Sequence, residues 1–345
     1  MTSNGPEEYL PESELYSEAD GSAGKTMCQA KTRKGEPCRN KALAGQDFCA
    51  MHSSVRNGEE EEDNIPEPHL IENLSDLLSM MHRRFRGEYN VDEHGLDLEV
   101  TEQFRPIARW IYRKYWRVQV SGIENVPAEG RALLVANHSG VLPFDGAMVI
   151  MAVQEEHPQP RLVRALVLSL FFQLPFTAPW LAKTGQVQAS PMNAERLLKN
   201  DELTLVFPEG VKGIGKPWSK RYQLARFGRG GFVRVAMKTR APIIPVSIVG
   251  AEEIYPHIVS LKTLASILGL PYFPLTPTFP LLGPLGTIPL PTKWYIHFDA
   301  PIPIPEMEFR RSEEPLLVTK ISNQVRDTIQ KNIYRLLKTR RSIFW

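Results

Sequence analysis

A histidine beside a carboxylate can take a proton from a hydroxyl group near neutral pH, because the carboxylate orients the ring and stabilises the imidazolium that forms. The 345-residue chain offers such a pair in the stretch NHSGVLPFD, where His138 precedes Asp145 with six residues between them. A second candidate is FPEG, Phe207-Pro208-Glu209-Gly210, which continues into VKGIGKPW. Gly210, Gly215 and Lys216 fit most of a G-x-x-x-x-G-K phosphate loop. That reading fails at the next residue. Pro217 stands where a serine or threonine must hold Mg²⁺, and proline offers neither a hydroxyl nor a backbone N–H. From Val211 to Arg240 there are nine Lys or Arg and no Asp or Glu, so this segment is an anion-binding candidate without being a P-loop. Lys212, Lys216, Lys220, Arg221, Arg226 and Arg229 crowd its first part, and Gly228, Gly230 and Gly231 open a helix whose N–H groups favour anions. The anions open to it are phosphates of a carrier, a lipid head group or an anionic membrane.

A third cluster lies near the start: Cys28-x9-Cys38-x10-Cys49-x2-His52. Cys-x-x-His is a tight chelating pair, and two further thiols complete four tetrahedral ligands, so a structural zinc is expected, with redox or idle cysteines as the other reading. The unit has almost no apolar residues for a core and would need metal to fold. It has no aromatic ladder or recognition helix, so it is expected to bind a protein partner rather than specific nucleic acid.

The elements that position these residues can be read from periodicity. Residues 1–25 are acidic, polar and without an apolar h-region, so disorder and no secretory signal are expected. Residues 26–53 form the cysteine unit, and 54–68, with GEEEEDNIPEP, read as a solvated linker. HLIENLSDLLSMMHRRF has helical apolar spacing, so 69–103 read as an amphipathic helix and lead-in. The main domain, 104–345, opens with a helix mixing Trp110, Tyr112, Tyr115 and Trp116 with arginines, suited either to a lipid interface or to ordinary packing. RALLVA and LTLV read as buried strands, GAMVIMAVQ and GGFVRVAMKTR as helices, and APIIPVSIVG as a further strand. Alternating strands and helices predict an α/β domain, whose sites lie at the carboxyl ends of parallel strands. His138 and FPEG both leave such ends. Leu162 to Ala182 is apolar but interrupted by Arg164, Gln173, Pro175 and Pro179, which predicts a buried or membrane-dipping segment rather than a span. Residues 271–305 are proline-rich and predict irregular packing or a lipid-facing surface, and Pro315 to Leu337 a closing amphipathic helix ending in KTRRSIFW.

Asn137-His138 with Asp145, then Phe207-Pro208-Glu209-Gly210, then Ile244-Pro245-Val246, in that order, resemble the glycerolipid acyltransferase family that includes the lysophosphatidate acyltransferases. The resemblance covers about residues 100 to 305. It implies a mixed, mostly parallel sheet flanked by helices. It also implies acyl transfer from acyl-CoA or acyl-carrier protein to a lipid hydroxyl, peripheral or monotopic at the cytoplasmic face of a membrane. On this reading His138 is the general base and Asp145 its partner. Asn137, Ser139, Phe207, Pro208, Glu209, Gly210, Lys212, Lys216, Arg221 and Arg229 would contact substrate. Glu209 has a second reading, as a carboxylate capping local N–H groups. With no cysteine in the domain and no G-x-S-x-G elbow, transfer is expected to be direct, with N–H groups around Gly210 available to the oxyanion.

The chain departs from the family in two places. The family spacing is His-x4-Asp. Its phosphate-binding arginines are missing as well: GQVQASP, Gly185 to Pro191, has none, and Val211-Lys212 replaces Ser/Thr-Arg. A lysine gives a point charge in place of a bidentate fork, so the expected acceptor is a neutral acylglycerol or other lipid alcohol. A rebuilt clamp for lysophosphatidate and a non-catalytic lipid-binding or tethering scaffold are the competing readings.

Overall fold

The computed structural model describes residues 91–139, 142, 144–173, 177–256, 259–260, 274–277, 279–304 and 306–344, together with Gln29 and His82. The expected zinc ligands Cys28, Cys38, Cys49 and His52, the acidic linker and nearly all of the 69–90 lead-in lie outside the described residues. The architecture below belongs to the unit Glu67–Trp345.

Asp97 starts the first helix, α1 (Leu98–Trp110), by accepting from the Val100 N–H at 3.2 Å, which satisfies one of the donors a helix start leaves open. The helix loosens into a π turn, Ile111–Tyr115, and feeds β1 (Gln119–Ser121). There follow β2 (Ala132–Ala136), α2 (Phe144–Glu156), β3 (Val163–Val167), α3 (Ser169–Gln173), α4 (Thr177–Lys183) and β4 (Val187–Gln188). Then come α5 (Pro191–Lys199), β5 (Leu203–Val206), α6 (Val211–Ile214), α7 (Gly231–Thr239) and β6 (Ile243–Val249). A small pair, β7 (Val259–Ser260) and β8 (Pro274–Leu275), precedes β9 (Tyr295–Phe298) and the long α8 (Pro315–Thr339).

Seven strands form one mixed, mostly parallel sheet in the order β1-β9-β6-β2-β5-β3-β4, and only the β6–β9 pairing within it is antiparallel. Helices cover both faces. One core gathers Trp116, Trp294, Tyr112 and the apolar side of α2, and the other gathers α5, α7 and α8. This double burial explains the continuous apolar runs in ALLVA and IIPVSIV, which show no alternation because neither face meets water.

Two open readings are narrowed. Residues 163–167 of the apolar stretch take the buried alternative, as an inner strand of the sheet, and α3 and α4 are too short to span. Among the described residues no helix is long and apolar enough to cross a membrane. Likewise 271–305 is not wholly irregular. Tyr295–Phe298 enters the sheet, with Ile296 and Phe298 facing the core and Tyr295 and His297 half-buried, a strand of only four residues that proline-rich flanks conceal.

Candidate active site

Strands β2 and β5 are parallel neighbours, with Val135 opposite Val206. His138 and Glu209 each lie three residues past that rung, so the register alone sets the two motifs side by side. Glu209 closes the gap: its Oε1 accepts from the His138 N–H at 2.9 Å, and its Oε2 accepts from the Ala225 N–H. Glu209 is buried and therefore braces the loop that carries His138.

Asp145 sits in the first turn of α2, fully buried. Its Oδ2 meets His138 Nδ1 at 2.7 Å and accepts from the Ser139 N–H at 2.8 Å, while Oδ1 accepts from the Gly146 N–H at 2.9 Å. The six-residue interval thus still returns the carboxylate to the ring. Because a carboxylate can only accept, the proton is assigned to Nδ1, and Nε2 keeps its lone pair. Nε2 makes no hydrogen bond among the described residues. Phe207 stacks on the imidazole, ring centroids 4.3 Å apart and planes 24° from parallel, and fixes the ring's tilt from the other strand.

The ring opens onto a cavity of about 700 Å³ whose lining is mainly apolar, including Phe104, Ile111, Met148, Leu168, Phe171 and Trp180. It draws on α1, α2, α3, α4 and the end of β3, so the stretch that looked membrane-seeking supplies one wall. Gly210 also lines it. Its N–H, expected to serve an oxyanion, donates to Phe207 O at 3.0 Å and is spent in the turn. Gly210 itself has φ +54°, a conformation that favours glycine.

Several expected substrate ligands have other tasks. Asn137 is buried, with its amide donating to Ile248 O at 3.0 Å and accepting from Ile248 N at 2.7 Å. It ties β2 to β6 and is fully buried. Ser139 is buried beside Asp145, to which only its N–H donates, and its hydroxyl has no hydrogen-bond partner among the described residues. Pro208 O holds the Gly228 N–H at 3.2 Å. Lys216 is engaged within the fold: its Nζ lies 2.9 Å from Glu252 and 3.4 Å from Glu209, and its side chain is 9% exposed. Arg221 lies over the Trp218 ring, 4.4 Å from its centroid. Lys212 and Arg229 are exposed, as are Lys220 and Arg226, and these four form no ion pair among the described residues.

Glu252 and Gly213 were not anticipated. Glu252 follows β6 as part of GAEE and gave no sequence signal, because its partner is 36 residues away. Gly213 could have been suspected as a glycine inside a helix. A Cβ there would stand 2.7 Å from His138 Cβ and 2.9 Å from Glu209 Cβ. Gly213→Ala is therefore expected to cost about 1–3 kcal/mol and to lower turnover at least as much as stability, by pushing His138 off Asp145. Melting temperature and kcat measured on the same preparation check this.

The fold and site define an α/β protein that holds a histidine–carboxylate pair at the carboxyl edge of its sheet, beside an apolar cavity. A family model described as Acyltransferase matches residues 117–249, which span β1 to β6 and both motifs. An uncharacterised protein of Mycobacterium tuberculosis is 47% identical over 277 residues, covering 80% of this chain and 77% of that protein. The chloroplastic phytyl ester synthase 2 of Arabidopsis thaliana is 32% identical over 142 residues, 39% of this chain and 20% of that protein. A crystal structure of the 1-acyl-sn-glycerophosphate acyltransferase PlsC from Thermotoga maritima aligns with TM-score 0.45 and 18% identity, covering 77% of this chain and 90% of that one. Residues 117–249 thus match the acyltransferase family.

Proposed function

We propose that the protein transfers a fatty acyl group from a thioester of CoA or acyl-carrier protein to the hydroxyl of a lipid, with His138 as general base. The observation that carries this reading is the Nδ1–Asp145 bond of 2.7 Å, which leaves Nε2 available on a histidine that lines an apolar cavity. Nε2 takes the hydroxyl proton, and the oxygen attacks the thioester carbonyl. The carbon–oxygen bond forms, the carbon–sulfur bond breaks, and the leaving thiolate takes the proton back from the imidazolium. The cavity's volume lies within the usual range for small-molecule sites, and its lining suits an acyl chain.

The charges favour a neutral acceptor. The cations that line the cavity are already paired: Arg164 with Asp92 at 2.6 Å, and Arg105 with Glu102 at 3.2 Å and Glu155 at 3.4 Å. The exposed Lys212, Lys220, Arg226 and Arg229 lie on the loop leaving FPEG, where donor phosphates are the anions they suit best. A lipid alcohol acceptor is also in keeping with the name of the phytyl ester synthase. The test is a radiolabelled acyl-CoA assay on purified protein against lysophosphatidate, lysophospholipids, monoacylglycerol, diacylglycerol and a long-chain alcohol. Product from a neutral acceptor is the expected result. Product from lysophosphatidate alone overturns the acceptor assignment and makes Lys212 a phosphate ligand. No product with CoA or carrier-protein donors overturns the enzymatic reading.

A further inference from the structure

Residues 263–292 contain no charged side chain. Within them Leu281, Leu282, Leu285 and Ile288 stand 84%, 53%, 68% and 56% exposed. Scattered exposed leucines are ordinary, but four within eight residues form a patch that marks a docking surface.

The loop is held at its base. Tyr255 Oη donates to Thr287 O, Tyr115 Oη to Pro289 O at 2.5 Å, Trp116 Nε1 to Leu290 O at 3.1 Å, and Arg117 Nη2 to Pro291 O at 2.7 Å. Four side chains thus fix the backbone at one end while the aliphatic tips point to solvent. Three of these anchors belong to the end of the first helix and its exit, which also carry the exposed Trp110 and Lys114.

The C-terminal tail joins the same rim. Lys293 N–H donates to Ile343 O at 2.7 Å, and Arg117 Nη2 donates to Phe344 O at 2.7 Å. That places Arg341 with Ile343 and Phe344, which are 36% and 41% exposed, beside the loop's base. Aliphatic tips surrounded by aromatic and basic residues have the composition of an interfacial membrane anchor: the tips enter the acyl region and the cations meet anionic head groups.

We propose that the 281–288 loop inserts into an anionic lipid surface, with the C-terminal tail and the Lys114–Arg117 turn at head-group level. The proposal deepens the acyltransferase reading and rests on it for the purpose of the contact, while lipid binding itself is measured without turnover.

The test is co-sedimentation of the full chain with phosphatidylcholine vesicles, with and without phosphatidylglycerol. Leu281→Asp/Leu285→Asp is expected to weaken partition onto the anionic vesicles at least about tenfold, with unchanged melting temperature. Leu285→Trp is expected to bind at least as tightly as the parent, because tryptophan suits the interface. His138→Ala is expected to bind like the parent. Parent-like binding by the double aspartate variant overturns the proposal. So does a variant that changes only the sedimentation mass of the free protein, which would make the loop a contact between copies. Vesicle binding that depends on Leu281 and Leu285 in a protein without acyl-transfer activity leaves this proposal standing and sinks the acyltransferase mechanism instead.

Discussion

His138→Ala is expected to lower acyl transfer roughly a thousandfold, the middle of the range for loss of a general base. Folding should survive. Asp145 loses its bond to Nδ1 but keeps the Ser139 and Gly146 N–H donors at 2.8 and 2.9 Å, so the buried carboxylate is not stranded. His138→Asn is the sharper control. Its amide can donate to Asp145 in place of Nδ1–H yet provides no base, so activity should stay low while stability returns to the parent value. Asp145→Asn should cost a comparable factor for a different reason: the amide can favour the wrong ring tautomer and leave Nε2 protonated. Parent-like turnover in His138→Ala would remove the general-base assignment. Turnover lost in His138→Ala but intact in Asp145→Asn would show that the ring acts without its carboxylate.

The second large effect is on stability. Lys216 sits between two buried carboxylates, Glu209 at 3.4 Å and Glu252 at 2.9 Å. Removing one member of a buried ion cluster leaves the others uncompensated, which costs about 3–5 kcal/mol. Lys216→Met should therefore lower the melting temperature by on the order of 10 °C. It should also reduce kcat, because Glu209 holds the His138 N–H. The loss should depend on pH. Burial raises the Glu252 carboxyl above its ordinary 4.5, and Lys216 acts in the opposite direction. Without Lys216 the carboxyl rises further. A raised carboxyl gives stability that is complete below 4.5 and is lost as pH climbs through the folded-state value. The deficit of Lys216→Met should therefore be larger at about pH 8 than at about pH 5. Lys216→Met/Glu252→Gln should recover part of the loss, as expected for groups in contact. A deficit independent of pH would show that Lys216 acts through packing of its stem alone.

Much of this site was legible because its chemistry is local in sequence. A strand followed by Asn-His-Ser-Gly, and another followed by Phe-Pro-Glu-Gly, must present their turns at one edge of a parallel sheet. The apolar runs of β2, β5 and β6 announced burial on both faces. Other features were hidden by mixed signals. Leu162 to Ala182 has the hydropathy of a membrane segment because it supplies both an inner strand and a wall of the cavity, two kinds of burial that composition cannot separate. Strand β9 was masked by the prolines around it, and its place in the sheet is set by pairing with β6, with Val246 opposite Phe298.

The sequence by itself determined the α/β class, the order of the motifs and the residue types able to move a proton, because these follow from periodicity and side-chain chemistry. Only the tertiary structure decided which polar groups remain available to a substrate. Asn137 is consumed by Ile248, Glu209 by the His138 and Ala225 backbones, and Lys216 by Glu252, partners that lie 16 to 111 residues away. A buried polar group must be satisfied by whatever the fold brings within reach. Nε2 of His138 was left without such a partner, on a histidine that lines an apolar cavity no single stretch of the sequence describes.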